Sequence, residues 1–150
     1  MSTPAHRIDI VLPARPESVA PARHAVGLLP ALTTHPDGAD LLGDLRLLIS
    51  EAAANAVSHG RGDRLRVVLV ADPSTGRVTG AVRDGSARLA DGTRTTACQT
   101  EHESGRGLGI IAALSQSWGF ATDGFGKWLW FCLAAHPAPA PPALPARAAA

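Results

Sequence analysis

The sequence predicts an α+β fold, a two-layer sandwich in which helices cover one face of a mixed, mostly antiparallel sheet. Two observations predict this fold. Apolar residues at spacings of three and four between positions 41 and 56 indicate one long amphipathic helix. Alternating apolar residues on both sides of two glycine-bearing turns, at 72–76 and 124–126, indicate two β-hairpins. Helices and hairpins that each have one apolar face bury those faces by stacking as two layers.

The chain of 150 residues has the length of one domain. We expect a disordered N-terminus over residues 1–6, a folded domain over 7–135 and a disordered tail, rich in Pro and Ala, over 136–150. The formal net charge of +1 lacks the basic excess of proteins that bind nucleic acids or anionic membranes. No apolar run approaches the ~20 residues that span a bilayer. We therefore expect a cytoplasmic protein with no direct nucleic-acid or membrane partner.

The N-terminal part of the folded domain predicts one strand and one helix. Residues 7–12 alternate in the manner of a strand, and the prolines that follow end it. A helix is then expected from Ser18, the candidate N-cap, to about Leu29. Pro21 is compatible with this helix because it falls in the first turn, where its missing N–H group costs no hydrogen bond. Residues 33–38 are polar and predict a turn.

The central helix has the clearest pattern. Its apolar stripe consists of Leu41, Leu45, Leu48, Ala52 and Ala56 and is widened by Leu42, Ile49 and Ala53. The pattern stops at His59 and Gly60, and a glycine directly after the last periodic residue is typical of a helix C-terminus. We therefore expect the helix to end at residue 59 and to present a polar face on the side away from the core.

The first hairpin is followed by a long segment without a pattern. Residues 65–71 and 77–83 are rich in β-branched residues and flank the turn at 72–76. Residues 84–107 are polar, contain glycines and show no apolar periodicity. A segment of this length inside a compact domain is usually a functional or disordered loop.

The C-terminal part of the domain predicts a short helix and the second hairpin. The helix is expected over residues 108–117 and is opened by glycines. The strands of the hairpin are expected at 120–123 and 127–133, around the turn Gly124-Phe125-Gly126. With the elements before them, they complete the sheet and its helical layer.

Glu51 and Asn55 form the first candidate functional pair. They are four residues apart, so on a helix they share one face and lie one turn apart, away from the apolar stripe. A carboxylate can act as a general base, and an amide oxygen is a hard ligand suited to Mg²⁺. The alternative is a solvated pair on a surface helix, because such pairs are common on helix faces.

Asp84 and Gly85 form the second candidate, at the end of a predicted strand. An aspartate there can accept a hydrogen bond from an exocyclic amine such as that of adenine. The glycine after it permits close approach of a ligand. An ordinary Asp-Gly turn is the alternative interpretation of these two residues.

The third candidate is the glycine-rich segment 105–109, where a loop becomes a helix. Glycines allow backbone N–H groups to face an anion, and the helix N-terminus adds a favourable dipole. Arg106 can add a bidentate contact with phosphate. The preceding context is a loop and no Gly-Lys-Ser/Thr follows, so neither the dinucleotide fingerprint nor the P-loop applies. A flexible hinge is the alternative, but together the three candidates predict one nucleotide site.

Two other groups of residues are candidates for a metal site and for a partner contact. Cys98 and His102 lack further ligands at zinc-binding spacing, so no zinc site is expected. Arg61, Arg64 and Arg66 are interpreted as a solvated strand edge, with contact to an acidic partner as the alternative.

The order of these motifs resembles the ATPase superfamily that contains gyrase, heat-shock chaperones, histidine kinases and mismatch-repair proteins. Residues 47–60, LLISEAAANAVSHG, resemble its N box. Residues 82–86, VRDGS, resemble its first glycine box, and residues 103–111, ESGRGLGII, its second. Within the superfamily the chain is most similar to the small anti-sigma factor serine/threonine kinases of the RsbW and SpoIIAB type. The resemblance runs from about residue 12 to residue 133 and implies the histidine kinase-like ATPase fold.

The resemblance implies a role for each motif. Glu51 would be the base that orients or deprotonates a substrate hydroxyl, with Arg106 as a second catalytic candidate. Asn55 would hold Mg²⁺, which bridges the phosphates of ATP. Asp84 would bind adenine, and Gly85 would make room for it. The second glycine box would bind the nucleotide through Gly105, Gly107, Leu108 and Gly109.

The implied function is that of a Mg-ATP-dependent protein serine/threonine kinase that also acts as an anti-sigma factor. Its partners would be a sigma factor and an anti-anti-sigma protein of the STAS type, and a homodimer is a further expectation. Two alternatives stay open. Ser86, Glu103 and Trp128 depart from the family pattern, which favours a catalytically inactive, nucleotide-gated or nucleotide-independent partner-switch module. The other alternative is the catalytic part of a histidine kinase that acts on a separate protein.

Overall fold

The computed structural model describes residues 4–29, 38–86, 95–96 and 106–134. Within these ranges the chain forms β1 (His6–Pro13), α1 (Val19–Ala25), α2 (Gly38–His59), β2 (Arg64–Asp72), β3 (Arg77–Asp84), β4 (Thr95–Thr96), α3 (Arg106–Leu114), β5 (Ser117–Thr122) and β6 (Lys127–Ala134). Short 3₁₀ turns at Pro16–Ser18 and Val26–Leu28 flank α1.

The strands form one six-stranded sheet in the order β1-β2-β3-β6-β5-β4. β2 pairs with β3 as the first predicted hairpin, and β5 pairs with β6 as the second. β3 and β6 are distant in sequence but adjacent at the centre of the sheet, where Val82 lies opposite Leu129. All pairs among the described strands are antiparallel. The predicted α+β fold is therefore confirmed.

The helices pack on one face of the sheet, which we call the helix face. The side chains of α2 that are buried there belong to the predicted stripe: Leu45, Leu48, Ile49, Ala52, Ala53 and Ala56. Every second residue of a strand reaches this face, and from the central pair these are Val78, Val82, Leu129, Phe131 and Leu133. The buried stripe fixes the rotation of α2 about its axis, which leaves Glu51 and Asn55 only partly buried.

The opposite face of the sheet, the far face, has a second apolar cluster. It consists of Val68, Ala81, Ala121, Trp128 and Trp130. Ion pairs lie on the same face: Asp9 Oδ2 pairs with Arg66 Nη2 at 2.6 Å and with Arg7 Nη2 at 3.0 Å, and Asp123 Oδ2 pairs with Arg83 Nη1 at 2.8 Å. The hydrogen bonds from Arg66 hold the pKa of Asp9 below its ordinary value of 3.8. The far face thus combines apolar side chains with ionised, paired side chains.

The N-terminal helix differs from its prediction. Ser18 makes no side-chain capping hydrogen bond, and its backbone is already helical, with φ −79° and ψ −14°. A capping residue needs extended backbone angles to reach the N–H groups behind it, so the 3₁₀ turn Pro16–Ser18 starts the helix instead. The α-helix stops at Ala25, and a 3₁₀ turn that contains Gly27, a weak helix former, continues the chain toward Leu29.

Other boundaries also shift. Ser117 was expected to end the short helix, but it is the first residue of β5 and pairs with Cys132. β4 lies within the segment predicted to be a loop and pairs with Phe120 and Gly119 of β5. A strand of two residues has no alternation that a sequence pattern could reveal. Gly38, predicted as the end of a polar turn, is the first residue of α2.

Some expectations concern residues outside the described ranges. They include residues 1–3, the turn at 33–37, residues 87–94 and 97–105, and the tail at 136–150, all of which stay predictions. The first described strand begins at His6, one residue before the expected start of the folded domain. Across the described helices, none is long and apolar enough to cross a membrane.

Replacement of Gly80 tests the packing between the two central strands. Gly80 lies opposite Phe131, and a Cβ at this position would lie 2.6 Å from Cε2 of that ring. We expect Gly80→Ala to lower the free energy of unfolding by about 1–3 kcal/mol, since the ring must move. The measurement is urea denaturation.

Gly43→Ala is the matched control for this measurement. A Cβ at Gly43, within α2, would meet no atom within 4 Å. We expect this substitution to raise stability by up to about 1 kcal/mol, because alanine favours a helix over glycine. Equal effects of the two substitutions would contradict the packing described here.

Candidate functional site

The candidate site is built around Asp84, the last residue of β3. Asp84 lies on the helix face and is only 5% exposed. Its Oδ1 accepts a hydrogen bond of 2.5 Å from the backbone N–H of Ser86. An aspartate that bonds to the backbone two residues later stabilises a turn. The side chain therefore holds the end of the strand in place with one oxygen.

Gly60, the first residue after α2, packs directly against this side chain. A Cβ at position 60 would lie 2.7 Å from both Cβ and Cγ of Asp84, and it would also collide with the carbonyl oxygen of Ala56. The N–H of Gly60 donates to that same carbonyl at 2.9 Å and closes the last turn of the helix. The absence of a side chain at 60 therefore allows the end of α2 to contact Asp84.

Two further glycines enclose the same residue. A Cβ at Gly126, directly before β6, would collide with the carbonyl oxygen of Asp84. Gly85 donates its N–H to the carbonyl oxygen of Arg61 at 2.6 Å, and a Cβ at 85 would lie 2.8 Å from that oxygen. We call Gly60, Gly85 and Gly126 the glycine clasp. It joins the end of β3 to two other parts of the chain, the residues after α2 and the residue before β6.

The second part of the site lies where α2 meets the first turn of α3. Gly107 is the second residue of α3, and a Cβ there would lie 3.0 Å from Oε2 of Glu51. The carboxylate of Glu51 thus lies beside the N-terminal turn of α3. The N–H groups of such a turn lack partners within the helix, and they attract negative charge. Two motifs that are distant in sequence are adjacent at this point.

α2 connects the two parts of the site. Glu51 and Gly60 are nine residues apart, which is about 13 Å along the axis of a helix. Asn55 lies between them, one turn after Glu51, and is partly buried. A ligand that contacts both parts must therefore be extended along α2, with one end at Asp84 and the other at Glu51 and α3.

The other residues of the predicted second glycine box differ in their surroundings. Leu108 is buried in the core on the helix face, so only its backbone is available to a ligand. Gly109 is exposed, and a Cβ there would meet no atom within 4 Å. Arg106 is the first residue of α3, and Gly105 lies outside the described residues. A Cβ at 107 would thus crowd the carboxylate of Glu51, whereas a Cβ at 109 would have open space.

Few protein groups at this site could bind a metal ion. Within the described ranges, no group of three or more His, Cys, Asp or Glu side chains is placed to hold one. The amide oxygen of Asn55 is a suitable donor for Mg²⁺, which commonly binds through one or two protein oxygens together with water and phosphate. The residues present therefore fit Mg²⁺ that arrives with a phosphate ligand. Cys98 and His102 lie outside the described residues.

The fold and the site together define an α+β sandwich whose candidate site extends along its long helix. The sequence matches the family described as the histidine kinase-like ATPase domain over residues 12–133. The match covers most of the chain, and the protein belongs to this family. Membership supports ATP binding. A comparison with curated proteins gives no match to this chain.

Sequence analysis missed two residues of the site, Gly60 and Gly126. In the sequence each glycine has a sufficient local explanation, Gly60 as the end of a helix and Gly126 as part of a turn. Gly124 does have the positive φ, 85°, that the turn requires. The contact between Gly126 and Asp84 depends on the pairing of β3 with β6, in which Asp84 lies opposite Lys127. No local signal could have revealed it.

Substitution of Gly60 tests the glycine clasp. We expect Gly60→Ala to lower the affinity for ATP about tenfold, equal to ~1.4 kcal/mol, because the new methyl group displaces the carboxyl group of Asp84. Isothermal titration calorimetry measures the affinity, and urea denaturation reports any loss of stability. Gly43→Ala, with open space around its Cβ, should bind ATP as the wild type does. Unchanged affinity in a folded Gly60→Ala protein would show that the clasp does not position Asp84.

Proposed function

We propose that this chain is a Mg-ATP-dependent protein serine/threonine kinase that also acts as an anti-sigma factor. It would phosphorylate a Ser or Thr of a STAS-type anti-anti-sigma protein, and in another state it would bind a sigma factor. Family membership supports the ATP-binding part, and the similarity of the N box and the two glycine boxes to anti-sigma kinases supports the rest. A cytoplasmic location and a homodimer belong to the same proposal.

The observation that carries the proposal is the spacing of polar groups along α2. Asp84 contacts the helix at Gly60, and the first turn of α3 contacts it at Glu51, about 13 Å away along the axis. ATP has a base with an exocyclic amine at one end and a triphosphate at the other. This arrangement supports a bound ATP with its base at Asp84 and its terminal phosphate at Glu51.

Asp84 would recognise the base. Its Oδ1 is engaged by the N–H of Ser86, which leaves Oδ2 to accept a hydrogen bond from the exocyclic amine of adenine. Because Asp84 is buried, a base without this amine would leave a carboxylate oxygen unpaired, at a cost of about 1–3 kcal/mol. A site with these properties would select adenine over guanine.

The phosphates would lie between Asn55 and α3. The N–H groups of the first turn of α3, which includes Gly107, would donate to phosphate oxygens, as helix N-termini commonly do. Asn55 would contribute its amide oxygen to Mg²⁺, which supplies charge neutralisation of the triphosphate when bound. Arg106 at the start of α3 would add a positive charge.

Glu51 would act on the attacking group. The hydroxyl oxygen of the substrate Ser or Thr forms a bond to the terminal phosphorus, the bond from phosphorus to the leaving oxygen of ADP breaks, and the proton of the hydroxyl passes to Glu51. The carboxylate lies beside the turn of α3 that would bind phosphate. The general base, Glu51, and the terminal phosphate of ATP would therefore be adjacent without any movement of α2.

One observation favours the alternative of a binding module without kinase activity. The resemblance leads us to expect a Thr that assists adenine binding after the last hairpin turn, and Trp128 stands there instead. Trp128 is buried on the far face, and its Nε1 donates to Oδ2 of Asp123 at 2.9 Å. It therefore lies on the opposite side of the sheet from Asp84 and offers no group to adenine.

Incubation of the full chain with labelled ATP and a panel of STAS-domain proteins separates the two functions. Transfer of label to a Ser or Thr of one of these proteins would support the kinase. ATP binding without transfer to any of them would support the binding module. Pull-down of sigma factors with and without Mg-ATP tests the anti-sigma role and its dependence on nucleotide.

Glu51→Ala tests the assignment of the base. We expect phosphate transfer to fall by at least about 100-fold, with ATP affinity nearly unchanged, because the carboxylate acts on the hydroxyl and not on the nucleotide. The measurements are label transfer and calorimetric titration on the same protein. Glu17→Ala, which removes an exposed carboxylate outside the site, is the control. Equal loss of transfer and of binding would count against the role of Glu51.

Asn55→Ala and Asp84→Asn test the two ends of the nucleotide. We expect each to weaken ATP binding about tenfold or more, because one removes an oxygen ligand and the other replaces an acceptor by an amide. Titration with Mg-ATP and with metal-free ATP distinguishes them. Asn55→Ala should lower the affinity for ATP mainly when Mg²⁺ is present, whereas Asp84→Asn should lower it in both conditions. The reverse pattern would exchange the roles of the two residues.

A further inference from the structure

The far face of the sheet is open along the edge strand β1 and closed at its centre. Val11 of β1 is 55% exposed on this face. Because β1 forms the edge, the arginines of β2 do not form the strand edge expected from the sequence. On β6, which pairs with a strand on each side, Trp130 is 0% exposed and Cys132 is 1% exposed. These two residues share the far face, because they are two positions apart in one strand.

The neighbours of Trp130 within the sheet do not account for its burial. Ala81 of β3 and Gly119 of β5 lie opposite it, and side chains this short leave the outer side of an indole ring open. None of the described helices packs on the far face, because their buried residues belong to the cluster on the helix face, and the far-face cluster consists of strand residues. The burial is that of a single chain, so it requires cover from another part of this chain and not from a second copy.

The segment that follows β6 is the one best placed to supply this cover. β6 ends at Ala134, two residues after Cys132, so the chain leaves the sheet beside the closed region. It cannot continue within the sheet, because β6 has a partner strand on each side, and the described helices occupy the other face. By contrast, the segments 30–37 and 97–105 each lead into a helix of the helix face, and the segment 87–94 leads to β4 at the sheet edge opposite β1.

The length of this segment is sufficient. In the extended polyproline II conformation, residues 136–150 would span about 46 Å at ~3.1 Å per residue. The distance from β6 to β1 is three strand spacings, or about 14 Å. The segment can therefore cross the apolar centre of the far face without reaching its limit of extension.

The composition of the segment also fits the surface. Residues 136–150 contain five prolines and seven alanines. Proline-rich segments prefer the polyproline II conformation and dock on surfaces lined by aromatic side chains. The far-face cluster offers Trp128 and Trp130, with Val68 beside them. A segment too poor in large apolar residues to form a core of its own can thus become ordered on this surface, although in isolation it would be disordered.

We propose that residues 136–150 pack across the centre of the far face, with proline rings against the indole of Trp130. This contact closes the region around β6 and leaves the edge at Val11 open, which agrees with the exposure of the two residues. Asp84 packs against Gly60 on the helix face, so the contact is separate from the candidate nucleotide site and does not rest on the proposed function. While the segment is docked, the far face is closed to a second copy of the chain and to other proteins.

The experiment compares the full chain with the chain shortened to residues 1–135. The shortened chain keeps the whole region that matches the family, residues 12–133. Hydroxyl-radical footprinting, read by mass spectrometry, measures the oxidation rate of each tryptophan. We expect the rate at Trp130 to rise about fivefold or more in the shortened chain, because one side of its large ring becomes open to water. The rate at Trp118, which lies in the core on the helix face, should stay unchanged and is the internal reference.

Two further variants separate the proline contact from the mere presence of a tail. One keeps the full length and removes the rings by Pro137→Ser, Pro139→Ser, Pro141→Ser, Pro142→Ser and Pro145→Ser, and it should expose Trp130 as the shortened chain does. The matched control is deletion of residues 2–4, at the other end of the chain, which should change the rate at Trp130 less than about twofold. Urea denaturation should show that every variant is folded. A synthetic peptide of residues 136–150, added to the shortened chain, should restore the protection of Trp130.

Three outcomes would overturn the proposal. One is a monomeric shortened chain in which Trp130 stays protected, which would assign the cover to another part of the chain. Another is protection in the full chain only at concentrations where sedimentation shows a dimer, which would assign the far face to a second copy. The third is protection that survives the five proline substitutions, which would exclude the contact between proline rings and the indole.

Discussion

The close contact between the end of β3 and the end of α2 is the constraint on which the rest of the site depends. It brings a buried carboxyl group, that of Asp84, against the backbone of Gly60 without an intervening side chain. The same strand end is held from the other side by Gly126. The helical layer and the sheet are therefore joined at one point by backbone packing. A side chain at position 60 would separate the end of α2 from the sheet, and one at position 126 would displace the end of β3 from the start of β6.

The other end of the site follows from this contact and from the regular geometry of a helix. Once α2 is fixed at Gly60 and its apolar stripe is buried in the core, the position of Glu51 is set by the rise and turn of the helix. The first turn of α3 lies close to that position, and the absence of a side chain at residue 107 leaves room for the carboxylate of Glu51. Two separate close approaches to one rigid helix thus define the ends of the site. The distance between them is a property of α2 alone.

Periodic features of the fold could be predicted from the sequence, whereas contacts that depend on tertiary structure could not. The alternation in β1 and the stripe of α2 report burial directly, so the strand and the helix appear where the pattern places them. β4 has two residues, which is too short for a pattern. Ser18 is a residue type that commonly caps helices, but the preceding 3₁₀ turn already gives its backbone helical angles. The roles of Gly60 and Gly126 exist only after β3 and β6 have paired.

The tryptophans of the two faces give this protein an optical property that needs no label. The chain contains three tryptophans and no tyrosine. Trp118 is part of the core beneath the helices, whereas Trp128 and Trp130 belong to the apolar cluster on the other side. The indole of Trp128 bonds to the carboxylate of Asp123 and lies under the guanidinium of Arg83. Its emission is therefore sensitive to local charge, and intrinsic fluorescence reports on both faces of the sheet without a contribution from tyrosine.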